Sequence, residues 1–468
     1  MKRRELLRAG AVAGMGLVVL RSGLLQAGQS PAEKLNIAVI GVAGRGGSNL
    51  GDVSSENIVA LCDVNAQNLA KAAEKHPKAQ TYADWRKCLE QKDIEAVVCS
   101  TTDHTHAFVN VWAMNRGKSV YCEKPLANGV HEARLVRETY LKNKDKIATQ
   151  MGTQIHATDN YRRMVELIRG GAIGVPQEAR VWCSRTPHGG DYLPAAGDAP
   201  PHLNWDLWTG PSPMHPYNAG YMGGCLAWNP FWDFGSGQIG DMGSHMMDMP
   251  FWALDLKDPI SCKAEGSPVS TDTLPTWLTA EWEHPANDWR PAVDVYWYDG
   301  GKKPGMPSKV FDREELFKGM LFKGDKGCLL ADYDYRILMP IKGDFTQYKS
   351  PKPADLIPPS KGHHKEWIDA AKTDKKTLCN FDYAGALVEN NLLALVSYRL
   401  GKAQTRDLAE AAKAAKGKAK AKDQEKVKEE YTVGRKLAWD AAALKATGCP
   451  EADQYIQRKY RNGWVLNG

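Results

Sequence analysis

The sequence predicts the α/β class, and three observations carry that expectation. Apolar, β-branched runs of strand length alternate with helix-forming segments from Leu35 to Gln150. A glycine-rich turn, "GVAGRGG", follows the first of these runs directly. The 468 residues suffice for two domains with full cores. Strands that alternate with helices form a parallel sheet, and ligands bind outside the carboxyl ends of its strands.

Composition narrows the class further. Charged residues make up 25% and hydrophobic residues 43% of the chain, which excludes a wholly disordered or fibrous protein. The formal charge of +6 lies partly in a basic N-terminus and a Lys-rich segment near the C-terminus, with no interleaved aromatics, so nucleic acid is not an expected partner. Ten cysteines lack paired C-x-x-C spacing, and Cys62, Cys99 and Cys122 sit in apolar runs. They read as small buried hydrophobes, so neither a disulfide framework nor a metal site is expected.

Residues 1–30 read as a targeting segment. Arg3 and Arg4 precede Glu5, Leu6 and Leu7, and the uncharged run from Ala9 to Leu20 falls short of the roughly 20 residues that span a bilayer. This pattern resembles a twin-arginine export signal, which implies a periplasmic protein, membrane-anchored if the signal stays uncleaved. A basic amphipathic extension that remains inside the cell is the alternative.

The first strand is "LNIAVIG", and "GRGGSNLGDV" opens a helix with Ser48 and Asn49 near its start. The second strand, "ENIVALCDVN", ends at Asp63, 22 residues after Gly41 and close to the interval of about 20 expected between a nucleotide-binding turn and its ribose-binding acid. Glycines let the backbone approach a pyrophosphate while the helix N-terminus offers free N–H groups. Gly41 and Gly46 fit the G-x-G-x-x-G frame, but Ala43 replaces its middle glycine and Gly44 follows, with Arg45 next. A glycine turn of purely structural role remains the alternative at this point. A strand from Ala96 to Ser100 then leads into "TTDHTH", with a helix from near His106, and "SVYCEKP" forms another strand. Thr101, His106, Glu123 and Lys124 therefore belong at the ligand-binding edge, although Lys124 read alone fits a surface cation equally well.

Together "GVAGRGG", Asp63, "TTDHTHA", "GKSVYCEKPLA" and "GDMGSHMMD" resemble the Gfo/Idh/MocA family of nicotinamide-dependent sugar and inositol oxidoreductases. The resemblance runs from Lys34 to Lys402. It implies an N-terminal Rossmann dinucleotide-binding domain (34–152) and a C-terminal α/β domain with an open, mostly antiparallel sheet (153–403 and 432–468). It also implies a homo-oligomer, a small-molecule sugar or glycoside as substrate, and NAD bound by Gly41, Ala43, Gly44, Arg45, Gly46, Asp63, Thr101, His106, Glu123 and Lys124. Its catalytic lysine, aspartate and histidine match Lys124, Asp241 and His245. Where the family often has proline, this chain has Thr102.

The chemistry fits those residue types. Hydride leaves a sugar carbon only when the attached hydroxyl gives up its proton, so a base must reach that oxygen and a cation must stabilise the developing alkoxide. His245 suits the base and Lys124 the clamp, while Asp241, four residues before His245, orients substrate or imidazole. A His245 buried for structure alone and a metal held by Asp241 and His245 are the alternatives, although no third metal ligand is evident. Asp63 followed by Val64 and Asn65 offers no cation to a 2′-phosphate, which favours NAD over NADP.

The second domain opens with a helix carrying Met164, Leu167 and Ile168, and its candidate substrate contacts are His156, Tyr161 and Arg162. Two long loops rich in Trp205, Trp208, Trp228, Phe231 and Trp232 follow, and aromatic faces pack against sugar C–H groups. Trp208 and Trp232 are the candidates there, with burial for stability the alternative. "NWDLWTGP" resembles an exported branch of the family related to NAD-dependent glycosidases. His363 and His364 read as a solvent-facing pair, with His364 reaching the site as the alternative, and residues 404–431, rich in Lys, Ala and Glu, as an inserted exposed helix or mobile arm.

The expected activity is NAD-dependent oxidation of a sugar or glycoside at a ring carbon, with the cofactor tightly held because free nicotinamide cofactor is scarce outside the cytoplasm. Transient ring oxidation that cleaves a glycoside without net redox change is one alternative. A carboxylate-based hydrolase and a non-catalytic sugar-binding protein are the others.

Overall fold

In the computed structural model, residues 33–305, 316–341, 356–373, 376–407 and 428–468 are described. The expected export signal, 1–30, and the middle of the Lys/Ala/Glu-rich insert lie outside them. Among the described residues no helix is long and apolar enough to cross a membrane.

Six parallel strands build the first domain: β1 (Asn36–Ile40), β2 (Asn57–Cys62), β3 (Gln80–Tyr82), β4 (Ala96–Cys99), β5 (Ser119–Cys122) and β6 (Thr149–Met151). Their order is β3-β2-β1-β4-β5-β6. Four buried residues in "AVVC" and four in "SVYC" place β4 and β5 under cover on both faces, as parallel strands require. Ile40 pairs with Cys62 and Cys99, and Cys99 with Cys122, so the strands end in one row. The turn after β1 and the loops after β4 and β5 leave from that row.

Five helices of the first domain follow its strands: α1 (Arg45–Asp52), α2 (Ala66–Lys75), α3 (Trp85–Cys88), α4 (Asp103–Asn115) and α5 (Val130–Asn143). α1 starts at Arg45, earlier than Ser48, behind Gly44 at φ 54°. α4 starts at Asp103 after an extended Thr102, again ahead of the His106 expected from the sequence.

The second domain begins with α6 (Asp159–Arg169) and β7 (Pro176–Cys183), followed by β8 (Ser261–Gly266), β9 (Leu278–His284), β10 (Val293–Asp299), β11 (Lys318–Gly324), β12 (Gly327–Ala331) and β13 (Arg336–Pro340). After α7 (His363–Lys372) and α8 (Phe381–Arg399) come β14 (Lys402–Asp407), β15 (Lys428–Val433), β16 (Leu437–Asp440) and β17 (Lys445–Thr447). The main path is β13-β12-β11-β7-β10-β9-β8-β15-β14, with β16 also paired to β8. Only β7 and β10 run parallel among these pairs, so the sheet is mostly antiparallel as expected.

α8 is buried on nearly every side and lies against α5 and β8, which makes one core cluster continuous across both domains. At that seam the Arg134 guanidinium donates to both carboxylate oxygens of the buried Glu389, at 2.8 and 2.7 Å. The end of the chain returns to the first domain. Trp464 packs on Trp85 and Phe108, and the Trp112 indole N–H donates to the Val465 carbonyl at 2.9 Å.

Two expectations change here. The ends of the Lys-rich insert are strands, since Thr405 pairs with Glu430 across β14 and β15, and Arg406 lies over Tyr431 while bonding Glu429. Thr, Val and Tyr at these ends favour extended chain over helix. His363 and His364 are both buried: His363 Nε2 bonds the Met151 carbonyl, and the His364 ring stacks on Tyr121, so neither faces solvent.

Candidate active site

A cavity of about 800 Å³ opens along the row of strand ends. Gly41, Ala43, Gly44 and Arg45 line one side, together with Asp63. Gly41 has φ +82°, and a Cβ there would lie 2.4 Å from the Ser100 carbonyl oxygen. At Gly46 a Cβ would lie 2.0 Å from the Gly41 carbonyl oxygen, so helix and turn touch through backbone alone. Gly46 supports the turn without itself lining the cavity. A Cβ at Gly44 would meet open space, and its φ of +54° is a positive value open to glycine. The alanine–glycine order of the motif therefore keeps the turn open toward the cavity.

Asp63 ties the second strand to this turn. Its carboxylate accepts from the Val42 N–H at 3.0 Å and the Asn65 N–H at 2.8 Å, while burial pushes its pKa up against those two bonds. Glu123 acts as a second tie, accepting from Arg45 Nε at 3.0 Å and Asn49 Nδ2 at 2.9 Å. Arg45 thus already has a carboxylate partner. The buried His106 ring bridges the Pro125 carbonyl at 2.7 Å and the Thr101 carbonyl at 3.0 Å, joining the loop after β4 to the loop after β5.

Beyond this cradle the charged residues converge. The Lys124–Pro125 peptide is cis, and Lys124 Nζ donates to Asp241 Oδ1. Arg185 Nη1 donates to the other oxygen of Asp241 at 2.8 Å. Burial would raise the pKa of Asp241, but Lys124, His245 and Arg185 together outweigh it and hold the carboxyl below its ordinary value. Burial likewise works against the charge on Lys124, and Asp241 reverses the sign and raises its pKa. Both groups stay ionised. His245 lines the same cavity, with Nδ1 3.1 Å from the Thr153 hydroxyl. Burial first, and the Lys124 charge second, push its pKa down to about 3.

Asp241 and His245 occupy two adjoining helical turns, Gly237–Asp241 and Gly243–Met246. Their partners are Lys124, Arg185 and Thr153, in a hydrogen-bonded cluster.

Four expected substrate contacts do not line this cavity. The His156 ring is buried, bonded through Nδ1 to Asp248 at 3.0 Å and stacked on Trp252. Tyr161 lies below the site, where its hydroxyl donates to the His245 carbonyl at 2.9 Å. Arg162 is spent on Glu366 at 2.6 Å and on the Pro358 carbonyl. Trp232 donates to the Ser270 carbonyl and packs under Arg399. α6 turns its mixed aromatic and basic face inward, where it serves packing. Trp208 does line the cavity, backed by the stacked Trp205. Among the ten cysteines Cys225 alone is exposed, and it also lines the cavity.

Arg185 and Thr153 were absent from the sequence reading. Arg185 had one usable signal: it follows directly on β7, and strand ends carry sites.

With the cradle, the acid at the second strand end and the Lys–Asp–Arg–His cluster in place, comparison with known proteins becomes decisive. Residues 35–151 match the model of an oxidoreductase family with an NAD-binding Rossmann fold, GFO_IDH_MocA, and residues 182–286 match that family's C-terminal α/β domain. The chain belongs to the Gfo/Idh/MocA family.

Inositol 2-dehydrogenase of Salmonella paratyphi B is 32% identical over 147 residues, 30% of this chain and 44% of the relative. That of Rubrobacter xylanophilus is 28% identical over 155 residues, 32% of this chain and 44% of the relative. The chain spans less than half the length of these curated relatives. Among solved structures, the WlbA dehydrogenase of Bordetella pertussis, in complex with NADH and UDP-GlcNAcA, has a TM-score of 0.54 at 13% identity, covering 76% of this chain and 92% of that one. A levoglucosan dehydrogenase complexed with NADH has a TM-score of 0.50 at 18% identity, covering 78% and 96%. At such identities the likeness concerns the fold.

Proposed function

We propose that this Gfo/Idh/MocA protein is an NAD-dependent oxidoreductase that removes hydride from a ring carbon of a sugar or glycoside. The observation that carries the reading is the placement of Lys124 and His245 on one cavity with the Gly41–Gly46 turn and Asp63. The turn fits a dinucleotide because the would-be Cβ positions of Gly41 and Gly46 are filled by backbone, while Gly44 leaves open space. Asp63 favours ribose hydroxyls, and its negative charge disfavours a 2′-phosphate; Arg45, paired with Glu123, gives that phosphate little compensation.

Bound NAD supplies the hydride acceptor. Lys124 donates to the reacting hydroxyl oxygen and stabilises it as it becomes an alkoxide. Asp241, shared with Arg185, keeps that ammonium charged and aimed. His245 takes the hydroxyl proton, and Trp208 offers an apolar face to the sugar. The reading extends to a tightly held cofactor, export to the periplasm and a homo-oligomer. If the product stays bound, oxidation acidifies the neighbouring C–H, elimination releases the aglycone, and return of the hydride with addition of water completes a redox-neutral cleavage.

The test is an absorbance and fluorescence spectrum of the purified protein with NAD, before and after a panel of sugars and glycosides. Growth of the reduced nicotinamide band is the expected result, and its decay with aglycone release marks the redox-neutral cycle. Sugar binding without any cofactor response favours the binding-protein reading. A second expectation concerns pH. A base is competent only when unprotonated, and His245, with its pKa pushed down to about 3, stays neutral as pH falls through the ordinary histidine range. The acid limb of kcat/KM for the sugar at saturating NAD therefore lies below about pH 5. A limb near 6.5 removes His245, as it stands here, from the role of base.

A further inference from the structure

We infer that Thr153 is a positioning residue that selects the tautomer of His245, leaving Nδ1 protonated and Nε2 as the basic nitrogen. The inference rests on the reading of His245 as the base, and the geometry supplies the rest.

Thr153 is fully buried in the turn after β6, where its N–H donates to the Met151 carbonyl at 2.8 Å. Its hydroxyl oxygen lies 3.0 Å from the Ser244 carbonyl oxygen and 3.1 Å from His245 Nδ1. A hydroxyl has one hydrogen, and a carbonyl can only accept. The hydroxyl therefore donates to Ser244, and its lone pair receives the hydrogen on Nδ1. The opposite arrangement, with the hydroxyl donating to Nδ1, would leave two oxygen lone pairs facing each other at 3.0 Å.

The remaining contacts hold this arrangement. The Tyr161 hydroxyl donates to the backbone carbonyl of His245 at 2.9 Å, which fixes the turn that carries the ring. Lys124, Arg45 and Arg185 all disfavour a doubly protonated ring, with Asp241 opposing them. A neutral imidazole carries one N–H, so fixing it at Nδ1 leaves the lone pair on Nε2. Among the described residues no protein group hydrogen-bonds Nε2, so that lone pair is available for the substrate proton. Thr153 and His245 are 92 residues apart, and the turn after β6 thereby sets the protonation pattern of a residue in the second domain.

The tautomer can be read without cofactor or substrate. In the full-length protein labelled with ¹⁵N-histidine, long-range ¹H–¹⁵N spectra distinguish a protonated ring nitrogen from one with a lone pair, and the His245→Gln variant assigns the signal. The expected result is a protonated Nδ1 and a lone-pair Nε2 in the unsubstituted protein and in Thr153→Ser. In Thr153→Val the pattern shifts toward a protonated Nε2, and kcat falls about 10²-fold with NAD affinity unchanged. Thr153→Ser recovers most of that loss. A protonated Nε2 in the unsubstituted protein overturns the inference, as does a Thr153→Val protein that keeps both tautomer and kcat. Should Thr153→Val not fold, the unsubstituted and Thr153→Ser spectra still decide. Full activity in His245→Gln would instead sink the reading of His245 as base, while the tautomer measurement stands on its own.

Discussion

Replacing Lys124 by alanine lowers kcat by about 10³-fold, as expected when one preorganised donor is removed from a developing oxyanion. NAD affinity stays within a few-fold, since the glycine turn and Asp63 lie away from the truncated side chain. The fold survives because Asp241 keeps Arg185, at 2.8 Å, as a counter-charge. A modest loss of thermal stability accompanies the change, because half of a largely buried pair has gone. Steady-state kinetics of Lys124→Ala, with a cofactor titration beside them, separate the two effects. Undiminished turnover would transfer the chemistry to paired carboxylates and hence to a hydrolase.

Gly46→Ala is expected to abolish measurable NAD binding and to destabilise the protein by about 1–3 kcal/mol through overpacking. The new Cβ would sit 2.0 Å from the Gly41 oxygen and 2.8 Å from the Gly41 carbonyl carbon, both backbone atoms that cannot rotate away. Turn and helix must separate, and the Val42 N–H bond to Asp63 goes with them. Gly44→Ala is the informative companion. Nothing lies within 4 Å of its Cβ, so it incurs only the cost of a sparsely populated positive-φ backbone, roughly 1–3 kcal/mol. Thermal unfolding and a cofactor titration of the two variants check both expectations. Equal NAD affinity in Gly46→Ala and the unsubstituted protein would refute the cradle.

The first domain was legible in the sequence because its signals are local. A strand, a glycine turn and an acid some 20 residues on are set by chain geometry over short distances, so Gly41, Asp63 and Lys124 fell where expected. Contacts made across the chain were not legible. Arg185 reaches Asp241 over 56 residues and Thr153 reaches His245 over 92, and nothing near either residue marks its partner. The opposite error arose on α6, where Tyr161 and Arg162 have the character of sugar ligands. Their partners, the His245 backbone and Glu366, lie 84 and 204 residues away and turn that face into the core. His364 misled for the same reason, since the ring it stacks on, Tyr121, belongs to the other domain.

The seam between Trp464, Val465 and the first domain bears on the order in which the molecule is made. Trp112 waits 353 residues for its carbonyl partner, and Trp85 and Phe108 wait longer still for the ring that covers them. The first domain to be synthesised thus stays unsealed until Trp464 has been made, and until then it presents an aromatic patch to water. Such a patch invites association or chaperone capture during that interval. Its disappearance reports that the chain has been made as far as Trp464.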